Sequence, residues 1–430
     1  NPNEKRFEDH IERELNSLNF CSRNYKDYDR ELCLIQDEVI DFIKNTQSEK
    51  WNKLTEINGI QTEKKLLKRI SSEISKRGII HSLRNKITDF GIEFDLCYFQ
   101  PTSDLNPESK RLHEFNKFTL VRQLHYSRKN QNSIDIVLFL NGLPIVTMEL
   151  KNELTGQNYK DAEKQYKNDR DPNEPLLKFK RCMVHFCVDK NKVSMSTQLS
   201  GQNTVFLPYN RDLENPIEEN GYDTKYLWEE VLHPNSILDI FENFVHLSIE
   251  KEPFFNSKTQ KIDTKTKEKL IFPRYHQLDL IKKFRSNIKQ DGVGNNYLVQ
   301  HTTGSGKSYS IGWLSHTLTS LYRKDGDTKR MFDSIIIVTD RRVLDKQLRK
   351  TITDLQKNDG VVHGVKKGAK DLQEFLELGK DIIISTIQKF PKISKTISSL
   401  GDKNFAVIID EVHSSQSGQL SKELKKSLSK

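Results

Sequence analysis

The run His301-Thr-Thr-Gly-Ser-Gly-Lys-Ser308 constrains this chain more than any other stretch of it. It follows an apolar segment, YLVQ, and precedes a helical run, SYSIGWLSHTLTSLYRK. Gly304 and Gly306 let backbone N–H groups turn inward, and the helix that follows adds its positive N-terminal dipole. A strand, such a loop and a helix, in that order, cradle phosphate oxygens with Thr303, Gly304, Ser305, Gly306, Lys307 and Ser308. Lys307 is expected to reach the β- and γ-phosphates of ATP, and Ser308 to ligate Mg²⁺. His301 stands where the strict pattern has a first glycine.

The texture around this loop is that of a parallel sheet with crossover helices. Short apolar strands are predicted at NYLVQ (296–300), SIIIVTD (334–340), DIIISTI (381–387) and NFAVIIDE (404–411), with helical segments between them. Asp410 and Glu411 end the last of these. Carboxyl ends of such strands line the ligand crevice, so Asp410 suits Mg²⁺ and Glu411 suits the attacking water.

Composition narrows the remainder. Hydrophobic residues make up 35% and charged residues 30%, which excludes collagen-like and wholly disordered chains. No apolar run is long enough to span a bilayer and the N-terminus has no signal-peptide core, so the expected compartment is the cytoplasm. The chain opens at Asn1 rather than methionine, which implies residues ahead of it. A net charge of +9 fits nucleic acid as a partner and equally a lysine-rich solvated surface. Five cysteines (Cys21, Cys33, Cys97, Cys182, Cys187) offer neither a disulfide framework nor a zinc site.

Ahead of the nucleotide loop the first ~75 residues read as helical, in FEDHIERELNSL, YDRELCLIQDEVIDFIKNT and TEKKLLKRISSEI. Two runs of branched residues then flank Asn141-Gly142, a hairpin signal. A helix from Tyr159 to Lys167, a strand in CMVHFCVD and another near Thr204 to Leu207 follow. SKTQKIDTKTKEK, from Ser257 to Lys269, has one Ile in its whole length and reads as a linker.

The hairpin carries a second chemistry. Counted outward from a turn on Gly142, Asp135 and Glu149 face each other across the strands, and Lys151 lies on the same face as Glu149. Two carboxylates and an ammonium at the end of a largely apolar strand pair need compensation, which a divalent metal between Asp135 and Glu149 supplies. Lys151 would then orient water or stabilise developing charge. A salt-bridged strand end is the alternative.

HTTGSGKS with DEVH resembles the superfamily-two helicase-like ATPases. PRYHQLDL, VTDRRVLDKQL, STIQKF and DEVHSSQSG resemble the motor subunit of type I restriction enzymes. The resemblance implies that Gln277 reads adenine and that Asp340, Arg341 and the Thr386/Gln388 pair couple the ATPase to DNA. For Arg341 and Arg342 a solvated turn is the alternative, and for Gln277 a helix-surface amide. The D-x13-E-x-K spacing resembles the core of restriction-endonuclease-like nucleases. Such nucleases also imply a glutamine after the ExK strand, here Gln165, with a tyrosine four positions on. Asp169 stands there, while Tyr166 is the neighbouring tyrosine. Glu8 corresponds to an upstream acid that assists the metal; otherwise it is a solvated helical glutamate.

The expected architecture is α/β: a restriction-endonuclease-like mixed-sheet nuclease domain with a helical N-terminal part (1–256), a linker (257–269) and a first RecA-like P-loop domain (270–430). The resemblance implies ATP and Mg²⁺ as cofactors, and double-stranded DNA with modification and specificity subunits as partners. It also implies non-specific cutting after translocation. A second motor lobe is implied but absent from the sequence, so the fragment alone is expected to translocate nothing and hydrolyse ATP poorly. Two other readings stay open: a helicase or remodeller without nuclease activity, and a non-catalytic docking fragment.

Overall fold

A computed structural model describes residues 2–101, 106–152, 156–219, 221–256, 260–302, 304–323, 329–339, 342–356, 360–365, 368–393, 401 and 403–410. The chain divides into two compact units, with the main boundary in sequence between His276 and Gln277.

In the first unit α1 (Pro2–Ser17) leads into β1 (Phe20–Arg23). A small ribbon of β2 (Tyr28–Asp29) and β3 (Leu34–Ile35) precedes α2 (Gln36–Thr46), α3 (Ser48–Asn58), α4 (Thr62–Arg77) and α5 (Ile79–Arg84). The expected helices are present except over residues 28–35. There Asp29 Oδ1 accepts from the backbone N–H groups of Glu31 and Leu32, and Cys33 takes a positive φ of 55°. That local aspartate turn outcompetes a helix.

Next come the ribbon β4 (Ile87–Asp89) and β5 (Ile92–Phe94), α6 (Pro107–Glu114), β6 (Phe118–His125), β7 (Ser133–Leu140) and β8 (Leu143–Leu150). α7 (Tyr159–Asn168), β9 (Val184–Val188), β10 (Val193–Ser196) and β11 (Leu207–Pro208) complete a seven-stranded mixed sheet, ordered β1-β6-β7-β8-β9-β10-β11. β1 runs parallel to β6 and β8 parallel to β9; the other neighbours are antiparallel. Every residue of β8 is buried, as a central strand covered on both faces requires. Val137, Phe139, Ala162, Tyr166 and Cys187 pack together in the core that α7 closes.

The expected hairpin is β7–β8. Asn141 (φ 51°) and Gly142 (φ 79°) are both left-handed, the geometry of a two-residue turn that matches strand twist. Glycine is required at 142 on a second count, because a Cβ there would lie 2.5 Å from the Ile35 carbonyl oxygen.

After α8 (Pro234–Asp239), β12 (His246–Asn256) pairs antiparallel with β13 (Lys261–Ile271) along a two-stranded ribbon. This corrects the linker expected at 257–269, most of which is strand. Its sequence alternates: Lys261, Asp263, Lys265, Lys267 and Lys269 share one face, and Ile262, Thr264, Thr266 and Leu270 fall on the other. Lys265 and Lys267 sit opposite Glu252 and Glu250, so cross-strand charge pairs and threonines do what apolar bulk does elsewhere.

The second unit takes most of α9 (Tyr275–Asp291), then α10 (Lys307–Thr319), β14 (Ser334–Thr339), α11 (Arg342–Asp354), β15 (Val362–Gly364), α12 (Ala369–Glu377), β16 (Ile382–Thr386) and β17 (Phe405–Ile409). Its sheet is wholly parallel, ordered β15-β16-β14-β17, as the alternating apolar runs and helices imply. One expected strand is corrected. Residues 296–300 have no regular secondary structure, and Leu298 is 86% exposed. An apolar, branched run becomes a strand only when its backbone finds a ladder, and none forms there among the described residues. No helix among the described residues is long and apolar enough to cross a membrane.

Candidate functional site

The pairing of β7 with β8 carries an irregularity that shapes the site. Near the turn Leu140 pairs with Leu143 and Phe139 with Pro144; beyond it Leu138 pairs with Val146 and Ile136 with Met148. Ile145 is the extra residue, a β-bulge. Extending the outer register by one pair sets Asp135 opposite Glu149. Without the bulge Asp135 would face Met148, whose side chain points to the other side of the sheet.

Asp135 is held at both oxygens. Its Oδ2 accepts from the backbone N–H of Leu150 at 2.7 Å and its Oδ1 from the Gln123 amide at 3.1 Å. Glu149 is fully buried. Its Oε1 accepts from Arg170 Nε at 2.7 Å, and its Oε2 is buried without a hydrogen bond. Burial pushes the Glu149 carboxyl well above the usual range, and the Asp135 charge adds to this while Arg170 opposes it. Burial works against the Arg170 charge too, but Glu149 outweighs it and keeps the guanidinium firmly protonated.

Glu8, on α1, is 6% exposed rather than solvated. Gln123 Nε2 donates to Glu8 Oε1 at 2.8 Å as well as to Asp135, and its own Oε1 accepts from Ser133. The amide therefore links the two acids. Gln123 does this with a left-handed backbone (φ 45°), strain of the kind that gathers at functional sites. Neighbouring Arg122 binds Glu8, Asp9 and Glu12 and so ties α1 to the sheet. Burial raises the Glu8 carboxyl, as does Asp135, against the pull of Arg122 and Gln123.

Lys151 lies one step beyond the end of β8, where its backbone N–H donates to Val188. Two residues from Glu149, it would share that residue's face if the strand alternation runs on past Leu150. Gln165 sits on α7 with its Oε1 buried and without a hydrogen bond, and no contact of it with Asp135 or Glu149 is among the described interactions. Tyr166 instead bonds to Thr147, which also meets His185 Nδ1, both at 2.7 Å.

Among the described residues no three His, Cys, Asp or Glu side chains gather as a ready metal cluster. The donor set nonetheless suits Mg²⁺, which keeps much of its water and takes one or two carboxylates. Asp135 and Glu149 offer two carboxylates, and the Oε2 of Glu149 is buried without a hydrogen bond.

The nucleotide loop belongs to the second unit. Gly304 (φ 78°) and Gly306 (φ 83°) are left-handed, and α10 starts at Lys307 directly after them. Lys307 Nζ lies 3.5 Å from Asp410 Oδ1, so the two chemistry-bearing ends of the expected ATP site meet. Ser305 is buried, and Ser308 lies in the first turn of α10. Gln277 is 4% exposed, which excludes the helix-surface alternative; its Nε2 donates to the carbonyls of Gly306 at 3.0 Å and Ser305 at 3.3 Å. Thr386 ends β16, and Gln388 follows in a short 3₁₀ turn. Thr303, Asp340, Arg341 and Glu411 lie outside the described residues.

Arg170, Gln123 and Arg122 were not singled out from sequence. Arg170 follows α7 while Arg122 and Gln123 are neighbours on β6, and none carries a spacing signal; only contact with the carboxylates reveals them.

Comparison with known proteins agrees with both halves. Residues 3–204 match the family model described as the type I restriction enzyme R protein N terminus, and residues 276–430 match the SWI2/SNF2 ATPase model. A relative in Haemophilus influenzae, named type I restriction enzyme HindI endonuclease subunit, is 27% identical over 316 residues, 70% of this chain and 28% of that protein. One in Staphylococcus saprophyticus, named type I restriction enzyme SsaAORF53P endonuclease subunit, is 25% identical over 313 residues, 71% of this chain and 30% of that protein. The chain thus spans about three tenths of the length of the curated relatives it matches.

Proposed function

We propose, from the match of residues 3–204 to the family model of the type I restriction enzyme R protein N terminus, that this chain is the nuclease and first motor part of an ATP-dependent DNA translocase and endonuclease. The first unit is a restriction-endonuclease-like nuclease domain and the second a RecA-like ATPase lobe. DNA and the modification and specificity subunits are the partners, and the cytoplasm is the compartment.

The observation that carries the reading is the bulged hairpin with Asp135 set opposite Glu149, whose buried Oε2 takes no hydrogen bond. Asp135 and Glu149 would hold Mg²⁺, which when bound supplies Lewis-acid activation of the phosphodiester and of water. Asp135 is fixed for this by Leu150 and Gln123, and Glu149 by Arg170. Lys151 would place a positive charge on the same face, suited to orienting water or steadying the pentavalent phosphate.

In the ATPase lobe, backbone N–H groups of the loop that leads into α10 would hold phosphate oxygens, and the Lys307 ammonium would neutralise their charge. Asp410 and Ser308 would bind the Mg²⁺ of the nucleotide, and Glu411 would orient the attacking water. Gln277 braces the loop through two carbonyls, and we assign it the reading of adenine.

The Arg170–Glu149 ion pair also fits the second reading, a motor whose hairpin charges are only structural. Asp135→Ala in the full assembly separates the two. A nuclease loses DNA cleavage and keeps DNA-stimulated ATP hydrolysis; retained cleavage overturns the nuclease assignment.

A further inference from the structure

We propose that Arg170 is a positioning residue for the cation site, holding one oxygen of Glu149 so that the other is the ligand atom; this rests on the nuclease reading above. The geometry is specific. Arg170 Nε takes Oε1 at 2.7 Å with both side chains buried, and Oε2 is left without a hydrogen bond.

A guanidinium holds a carboxylate well only if its own backbone is fixed. Here the segment that carries it is tied to the loop between β6 and β7 on both sides. Asn132 Nδ2 donates to the Asp169 carbonyl at 3.0 Å, and Lys129 pairs with Asp171 at 2.7 Å. Further on, buried Glu174 accepts from Ser127 Oγ at 2.6 Å. That loop joins the strand of Gln123 to the strand of Asp135. The segment of Arg170 is therefore clasped to the loop that joins the strands of Gln123 and Asp135.

A residue placed to orient a ligand acts on cation affinity, typically by about ten- to a hundredfold. The test titrates the 430-residue chain with Mn²⁺, following free Mn²⁺ by electron paramagnetic resonance. Arg170→Gln is expected to weaken the site about tenfold, and Asp135→Asn to abolish it. In the full assembly Arg170→Gln then raises the Mg²⁺ concentration for half-maximal cleavage, and added Mg²⁺ restores the rate. A purely structural role lowers the rate at every Mg²⁺ concentration without moving that midpoint, and overturns the proposal. If Arg170→Gln does not fold, Arg170→Lys keeps the buried charge but not the planar fork, and the same shift is expected. Unchanged or tighter Mn²⁺ binding in the Arg170 variant, with binding lost in Asp135→Asn, sinks the role of Arg170 alone. Unchanged binding in Asp135→Asn puts the cation elsewhere and sinks the site itself.

Discussion

Asp135 Oδ2 accepts the backbone N–H of Leu150 at 2.7 Å, one residue past the carboxylate it is paired with. The side chain thus closes the end of the hairpin ladder as well as lining the site. Leu150 is buried, so removing its acceptor costs about 1–3 kcal/mol, the upper end applying only if water is kept out. Asparagine keeps an acceptor oxygen for the Leu150 N–H. Asp135→Asn is therefore expected to stay within about 1 kcal/mol of wild type in chemical denaturation, while Asp135→Ala is measurably less stable and both are inactive in cleavage. Equal stability of the two variants contradicts the ladder role.

Glu149 ties stability to pH. Its carboxyl titrates well above the ordinary value of 4.5, chiefly because it is buried, with Asp135 adding to the shift. The folded chain then keeps a proton that the unfolded chain has released, so this group favours folding at low pH. The contribution fades as pH rises from 4.5 through the raised value. Glutamine at this position has nothing to titrate. The stability of wild type relative to Glu149→Gln is expected to fall steadily as pH rises above 4.5, then level off beyond the raised value. Thermal melts of the two proteins from about pH 4 to about pH 8 check this; a constant difference means that Glu149 is not held in its neutral form.

How much of this was legible follows from where each signal resides. The hairpin was legible because Asn141-Gly142 and its branched flanks are contiguous, and the parallel sheet because β14, β16 and β17 are each unbroken apolar runs. The facing of Asp135 and Glu149 was expected from a simple count about Gly142. In the structure it depends on the bulge at Ile145, which nothing in LPIVTMEL announces. Most of β13 reads as linker in the sequence because its pairing with β12 rests on charge and threonine alternation rather than on apolar content. Arg170 and Gln123 were invisible for a different reason: their partners are 21 and 12 residues away or more, and long-range contacts leave no local pattern.

Thr147 bridges two buried polar groups next to the site. Its hydroxyl lies 2.7 Å from both Tyr166 Oη and His185 Nδ1, all three side chains being buried. Burial drives His185 down to about 3, so the ring is neutral throughout the working range and the network carries no charge. Thr147→Val keeps the shape and leaves both partners unsatisfied, a loss of about 2 kcal/mol or more. Thr147→Ser restores the hydroxyl and is expected to recover most of it. Urea denaturation of the two variants measures the difference, and equal midpoints rule out a role for the hydroxyl.

Gly306 is where the nucleotide loop admits no side chain. Its φ is 83°, and a Cβ there would sit 2.5 Å from Gln277 Nε2, the same amide nitrogen that braces the loop. Alanine therefore meets two obstacles, a left-handed backbone that costs about 1–2 kcal/mol and a collision that displaces Gln277. Gly292 separates them. It has a similar φ of 75° but nothing within 4 Å of an added Cβ. Gly292→Ala is expected to lose about 1 kcal/mol of stability and to bind a fluorescent ATP analogue as wild type does. Gly306→Ala is expected to lose analogue binding by tenfold or about that, because the loop can no longer close against Gln277. If the two alanine variants bind the analogue equally well, the Gln277 brace does not organise the phosphate cradle.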